Sequence, residues 1–167
     1  RMRRLDPEER AEFCALLEAL GDPAADREHP ADGKHPADTE HPVDKDAALA
    51  RLGALVHKSD AYDPLPDRAE TVGLRGEVFA GVWAEAAEMR GSGALLALLG
   101  RLRCPVAAIH GRYDPHPAEG VRAPLAAARP DASFTLLERC GHTPWLERQA
   151  RAAFYKTLER ELETGWT

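Results

Sequence analysis

The sequence predicts an α/β chain in which C-terminal parallel strands with flanking helices follow a helical region. Three observations carry this expectation. Cys104-Pro105-Val106-Ala107-Ala108-Ile109-His110-Gly111 is a nearly unbroken apolar run closed by glycine, the pattern of a strand buried on both faces of a parallel sheet. One helical stretch later, Ser133-Phe134-Thr135-Leu136-Leu137 reads as a second strand. Four helical segments, with no strand among them, come before both.

The first helical segment starts at Leu5-Asp6-Pro7-Glu8-Glu9. Asp6 suits the N-cap, Pro7 the first helical position, and two acids fill the first turn. Phe13, Leu16, Leu17 and Leu20 recur at helical spacing, and Gly21-Asp22-Pro23 ends the segment. A six-residue repeat follows: His29-Pro30-Ala31-Asp32-Gly33-Lys34, then His35-Pro36-Ala37-Asp38-Thr39-Glu40, then His41-Pro42-Val43-Asp44-Lys45-Asp46. Its histidines and aspartates invite a metal reading. Yet a proline after each histidine prevents a regular helix, and no His pair has the i, i+4 spacing of a helical site. The repeat reads instead as a polar, disordered linker, and no metal ligands are expected.

Residues 46–58 are again helical, with Leu49, Leu52, Leu55 and Val56 on one face. Ser59-Asp60-Ala61-Tyr62-Asp63-Pro64-Leu65-Pro66 has no periodic pattern and reads as a loop. A third helix spans 77–90 and carries Val78, Phe79, Val82, Trp83, Ala86 and Met89; Gly91-Ser92-Gly93 ends it. That stripe reads as core, with Trp83 alternatively lining a substrate pocket. A short helix over 94–99 leads to the first strand.

Between the two strands, Arg112-Tyr113-Asp114-Pro115-His116-Pro117 forms a polar turn and residues 121–129 have helical composition, broken by Pro130-Asp131. A strand, a crossover helix and a second parallel strand make a right-handed unit, so the loops leaving both strands emerge on the same rim. Asp114 lies on the first of those loops. His142 lies on the second, in Cys140-Gly141-His142-Thr143-Pro144-Trp145. Neighbouring strands run about 4.8 Å apart, so a carboxylate and an imidazole on adjacent strand ends can meet. Such a carboxylate fixes the imidazole tautomer and stabilises the imidazolium, as the acid and base of a hydrolytic triad do.

Two other histidines compete for the role of base. His110 precedes the closing glycine of the strand and is expected to be buried; His116 shares the turn with Asp114 and is expected to face solvent or substrate. Glu119 and Arg122 read as surface charges. After His142, Thr143 can cap and Pro144 can start a long helix whose Leu146, Ala150, Ala153, Phe154, Leu158 and Leu162 recur at threes and fours. Trp145 either lines an acyl pocket beside the base or packs at the helix start.

His110-Gly111-Arg112-Tyr113-Asp114 and the Cys140–Trp145 turn resemble the acid and base loops of the α/β-hydrolase superfamily, in which the order is nucleophile, acid, histidine. The resemblance covers residues 95–163. It implies a partial α/β-hydrolase fold: C-terminal parallel strands with flanking helices, preceded by a helical cap. The division it implies is 1–25 for the start of the cap, 26–46 for the linker, 47–93 for the rest of the cap and 94–167 for the C-terminal part of the core. Lys58-Ser59-Asp60-Ala61-Tyr62 and Val82-Trp83 look like a proline-iminopeptidase-like subgroup. The implied catalytic residues are Asp114 and His142, with Trp145 and Trp83 as substrate-binding candidates and no cofactor.

The family's Gly-x-Ser-x-Gly nucleophile elbow is missing. Ser59, Ser92 and Ser133 are the only serines, and none sits in such a turn. Cysteine could substitute, but Cys14 falls on a helix, Cys104 at the wrong end of the first strand and Cys140 two residues from the base. The chain also begins with Arg1 rather than Met, so it reads as the C-terminal part of something longer. Two functions are therefore expected as alternatives. One is the acid-and-base portion of a serine hydrolase acting on a small-molecule or peptide ester or amide, inactive alone. The other is a truncated, non-catalytic module that needs the missing N-terminal half or a partner chain to complete its sheet.

Composition narrows the remaining classes. A chain of 167 residues with 44% hydrophobic residues can hold an ordinary core, and a formal charge of -6 disfavours non-specific nucleic-acid binding. The Arg1, Arg3 and Arg4 cluster reads as a solvated turn. No apolar run approaches the roughly 18 residues of a membrane span. Three cysteines without a CxxC pair read as reduced thiols and predict a cytoplasmic location.

Overall fold

The computed structural model describes residues 1–21, 44–66 and 76–164. The His-Pro repeat up to Val43 lies outside the described residues, as does the side chain of Phe79. The chain is mixed α/β: six α-helices and one two-stranded parallel sheet among the described residues. It divides into two compact units, one drawn from Arg1–Ser59 and Glu70–Val82, the other from Asp60–Ala69 and Trp83–Thr167.

In the first unit, α1 (Pro7–Leu20) begins and ends where its sequence signals place it. The Asp6 carboxylate accepts the Glu9 amide, the Glu9 carboxylate accepts the Asp6 amide, and Pro7 fills the first turn. Gly21 closes the helix in the left-handed conformation at φ 70°, which a residue with a Cβ rarely adopts. Helix α2 (Lys45–Asp60) starts one residue earlier than expected because Asp44 accepts the amides of Asp46 and Ala47. It also runs on through Ser59 and Asp60, beyond the end that the sequence pattern predicts.

The two helices bury one apolar cluster. Phe13 and Leu17 of α1 meet Leu52 and Leu55 of α2 together with Leu5, while Leu16, Leu20 and Val56 pack around them. Charges cross between the helices outside this seam: Arg51 to Glu12 at 2.6 Å and Lys58 to Glu9. These pairs are open to solvent, so burial rather than charge holds the helices together.

Helix α3 (Gly76–Gly91) departs from expectation. Val78, Val82 and Trp83, read as part of a core stripe, are all exposed. Periodicity alone marks a face that could be covered; it does not supply the covering surface. In the second unit, α4 (Ala94–Ala97) passes into a 3-10 turn over Leu98–Arg101. Strand β1 (Ala107–Gly111) follows, then α5 (Ala118–Ala128) and β2 (Ser133–Leu137). The strands pair in parallel from Ala107↔Ser133 to Gly111↔Leu137.

The apolar run before Gly111 is not buried on both faces. Most of β1 is half-buried, because among the described residues its sheet has only two strands. The closing ends are better covered: Leu137, Cys140 and Ala150 form a small core, with Ile109 and Phe154 against it.

The last helix is also shorter than expected. Pro144–Leu146 is an isolated 3-10 turn with no cap from the Thr143 side chain, and α6 (Arg151–Thr164) begins five residues after that turn. Between them Glu147 lies in an extended conformation and forms an antiparallel bridge with Pro64. Helix α6 packs against both strands. No helix among the described residues is long and apolar enough to cross a membrane.

The first unit's cohesion is expected to rest on its apolar seam. Leu55, 2% exposed, should cost about 2–5 kcal/mol when replaced by alanine. Val78→Ala, on the exposed face of α3, should change stability by no more than about 0.5 kcal/mol. Guanidinium unfolding of the two variants measures the contrast.

Candidate active site

The C-terminal ends of β1 and β2 carry the residues singled out in the sequence. Past the last strand pair, the ladder continues in irregular form: the Arg112 amide donates to the Leu137 carbonyl at 2.9 Å and the Tyr113 amide to the Cys140 carbonyl at 2.8 Å. The two loops therefore leave the sheet already joined. Gly111 permits this approach, since a Cβ there would run into the carbonyls of Gly141 and Cys140.

Asp114 then turns back on its own backbone. Its amide donates to the Gly111 carbonyl at 3.1 Å, and its Oδ1 accepts the His116 amide at 2.8 Å, an Asx turn. The other oxygen, Oδ2, lies 2.7 Å from His142 Nδ1. His116 Nδ1 lies 2.8 Å from Oδ1, and His110 Nδ1 lies 3.9 Å from Oδ2, beyond hydrogen-bond range. The carboxylate side chain is 5% exposed, whereas those of His142 and His116 are half-exposed.

Burial pushes the Asp114 carboxyl up, but the His116 amide and the His142 and His116 rings outweigh it and hold the group below its ordinary 3.8. Asp114 is thus an anion at neutral pH and can only accept hydrogen bonds. Both facing Nδ1 atoms must then carry protons. In a neutral ring this leaves Nε2 of His142 as the nitrogen able to take one.

His110 is largely buried, as expected. Its Nε2 is 3.0 Å from the His116 carbonyl, and because a carbonyl only accepts, that nitrogen donates. His110 thereby supports the turn that carries His116. His116 faces solvent, one of the two expected placements, and beyond that expectation it is a second ring on the Asp114 carboxylate, its centroid 5.4 Å from that of His142. One donor atom from each of Asp114, His116 and His142 lies within 4.8 Å of the others, a grouping that the sequence pattern does not predict. Spacing in the chain gave no sign of it, because the turn brings i and i+2 to one point.

The residue missed altogether is Glu147. It is fully buried, and its carboxylate accepts three backbone amides: Oε1 from Tyr62 and Gly141, Oε2 from Asp63, each at 2.8 Å. Around it the Leu65 amide donates to the Leu146 carbonyl at 2.7 Å, and the Arg148 amide to Asp63 at 2.9 Å. The His142 amide donates to the Asp60 carbonyl at 2.9 Å. Gly141 fits only as glycine, since a Cβ would strike the Asp60 carbonyl and Glu147 Oε1. So the backbone that carries His142 is tied, before and after the histidine, to residues 60–63, most of which form the expected loop. Sequence periodicity hid Glu147 inside an expected helix.

The remaining candidates are placed less centrally. Trp145 is 46% exposed, with its ring 5.8 Å from Phe154, so it is not buried in packing at a helix start. Trp83 is exposed, and Arg90 lies over its ring at 6.0 Å. Glu119 and Arg122 pair with each other at the surface. Cys140 cannot act as a thiolate near neutral pH: burial foremost, then the charges of Glu147 and Asp114, push its thiol up to about 12. A cavity of about 670 Å³ lies at the opposite end of the strands, against Ala107, Ser133, Arg129 and Glu161, and so does not belong to this rim.

Comparison with family models, curated proteins and solved structures finds no match to this chain.

Glu147→Ala should destabilise the second unit by at least about 3 kcal/mol, since it removes three charge-assisted bonds and leaves the buried Gly141 amide without an acceptor. Glu147→Gln should recover only part of that, because its amide nitrogen cannot accept the third N–H. Denaturant unfolding of both variants measures it.

Proposed function

We propose that this chain supplies the acid and the base of a serine α/β-hydrolase that cleaves an ester, amide or peptide bond. The observation that carries the reading is the 2.7 Å contact between Asp114 Oδ2 and His142 Nδ1 at the ends of consecutive parallel strands. In this role Asp114 holds the imidazole in one tautomer and stabilises its protonated form. His142 accepts a proton at Nε2 from the nucleophile and returns it to the leaving group. Its half-exposed side chain leaves room for a reacting group.

The nucleophile would come from residues outside this chain, because no serine here lies in a strand-to-helix turn and Cys140 is held as a thiol. Trp145, partly exposed three residues beyond the base, is a candidate to line the acyl side of the site. The helical part of the chain would serve as the cap, and substrate would be a small molecule or peptide. No nucleic acid or membrane enters this reading.

A second reading has its own support. Each strand of the described sheet has only one neighbour, and Val121, Leu95, Leu96, Leu98 and Leu102 are exposed in the same unit. A non-catalytic module whose sheet is completed by a partner chain would also need such surfaces.

The two readings part in an assay. The chain alone should hydrolyse p-nitrophenyl esters no faster than background. Joined to a nucleophile-bearing half, it should turn over, and Asp114→Asn should lower kcat by about 10⁴-fold with little change in KM. A loss of less than tenfold would remove Asp114 from the acid role.

A further inference from the structure

The rim holds one side chain more than an acid–base pair requires. His116 is not needed to orient His142, yet its Nδ1 sits 2.8 Å from the same carboxylate. We propose that Asp114, His116 and His142 together bind one divalent first-row transition cation. Cation binding here goes beyond the hydrolase reading and does not depend on it.

The donor set fits the chemistry. Two imidazole nitrogens and one carboxylate oxygen are borderline-soft and hard donors that suit zinc and its neighbours, and that leave coordination positions open. Zinc takes such donors at about 2.0–2.2 Å, which separates them from one another by roughly 3.3 Å in a tetrahedral arrangement. The three donor atoms already lie within 4.8 Å of one another. Closing the remaining distance needs small movements of the two half-exposed imidazoles, and a ring that binds through the Nδ1 now facing Asp114 shifts that proton to its Nε2, which frees the lone pair for the cation.

The rest of the rim favours a fixed site. Asp114 is 5% exposed and tied by the His116 amide, so the carboxylate is placed before any cation arrives. His110 donates to the His116 carbonyl and steadies the turn that carries the second imidazole. The His142 backbone is held by the Asp60 carbonyl. The half-exposed rings give the cation access from solvent, and water would complete its coordination.

Occupation of the rim has a consequence for the proposed hydrolase. A cation bound to His142 and Asp114 takes up the carboxylate that fixes the imidazole, so a loaded site and a working base are alternatives. Calcium and magnesium, which prefer six or more oxygen ligands, should not compete.

The test uses Zn²⁺ alone as the probe, with the full chain, followed by calorimetry and by the imidazole NMR signals. The expected result is one equivalent of zinc that shifts the signals of both His116 and His142. His116→Asn, a change at a half-exposed side chain, should weaken this binding by at least about tenfold. The triple variant His29→Asn, His35→Asn, His41→Asn should leave it unchanged. The proposal is overturned if stoichiometric zinc leaves both signals in place, if His116→Asn binds as tightly as the parent chain, or if the repeat variant is the one that loses binding. Such a failure leaves the acid–base reading standing, since that needs only the Asp114–His142 bond. A failed Asp114→Asn turnover test, conversely, says nothing against zinc.

Discussion

The rim depends on a carboxylate that takes no part in its chemistry. Glu147 is fully buried, and an ion in that position is tolerated only when its acceptor capacity is met. Its partners are three main-chain amides, from Tyr62, Asp63 and Gly141. Two of these lie more than eighty positions away along the chain. Because the bonds go to backbone, Glu147 fixes the path of the chain on both sides of the site. The His142 amide then finds the Asp60 carbonyl, and the imidazole is delivered by its main chain rather than by side-chain packing. The antiparallel bridge between Pro64 and Glu147 follows from the same stitching.

Asp114 works in the complementary way. It too is largely buried and anionic, but apart from the His116 amide its partners are side chains. One carboxylate thus sets the backbone and the other sets the rings. Gly111 and Gly141 are the points where this becomes sterically possible, each admitting a carbonyl that any side chain would repel. The parallel pairing of β1 with β2 supplies the remaining requirement, since it brings both loops out at one end.

Much of this was legible in the sequence where a local rule had no competitor. Asp6, Pro7 and Glu9 announced the start of α1, and Gly21 its end, because caps act within a few residues. The second strand was read with its observed limits, bounded as it is by Pro130-Asp131 and a polar turn. Asp114 and His142 could be paired because strand, crossover and strand imply a shared rim. What escaped depended on contacts distant in sequence. Glu147 follows Leu146 and precedes Ala150 at helical spacing, yet the backbone amides of residues 62, 63 and 141 draw it into an extended conformation, and α6 starts only at Arg151. The apolar stripe of α3 predicted burial that Val78, Val82 and Trp83 do not have, since a stripe says nothing of what would cover it. The turn sequence places His116 toward solvent or substrate; the Asx turn that also sets it against Asp114 is invisible to spacing arguments.

A charged Asp114 dictates which nitrogen of His142 carries the proton. Long-range proton–nitrogen NMR of the histidine rings, at a pH where His142 is neutral, reads this directly. The expected spectrum shows a protonated Nδ1, its proton shifted far downfield by the 2.7 Å bond to Asp114, and a bare Nε2. A neutral His142 with its proton on Nε2 and none on Nδ1 would contradict it.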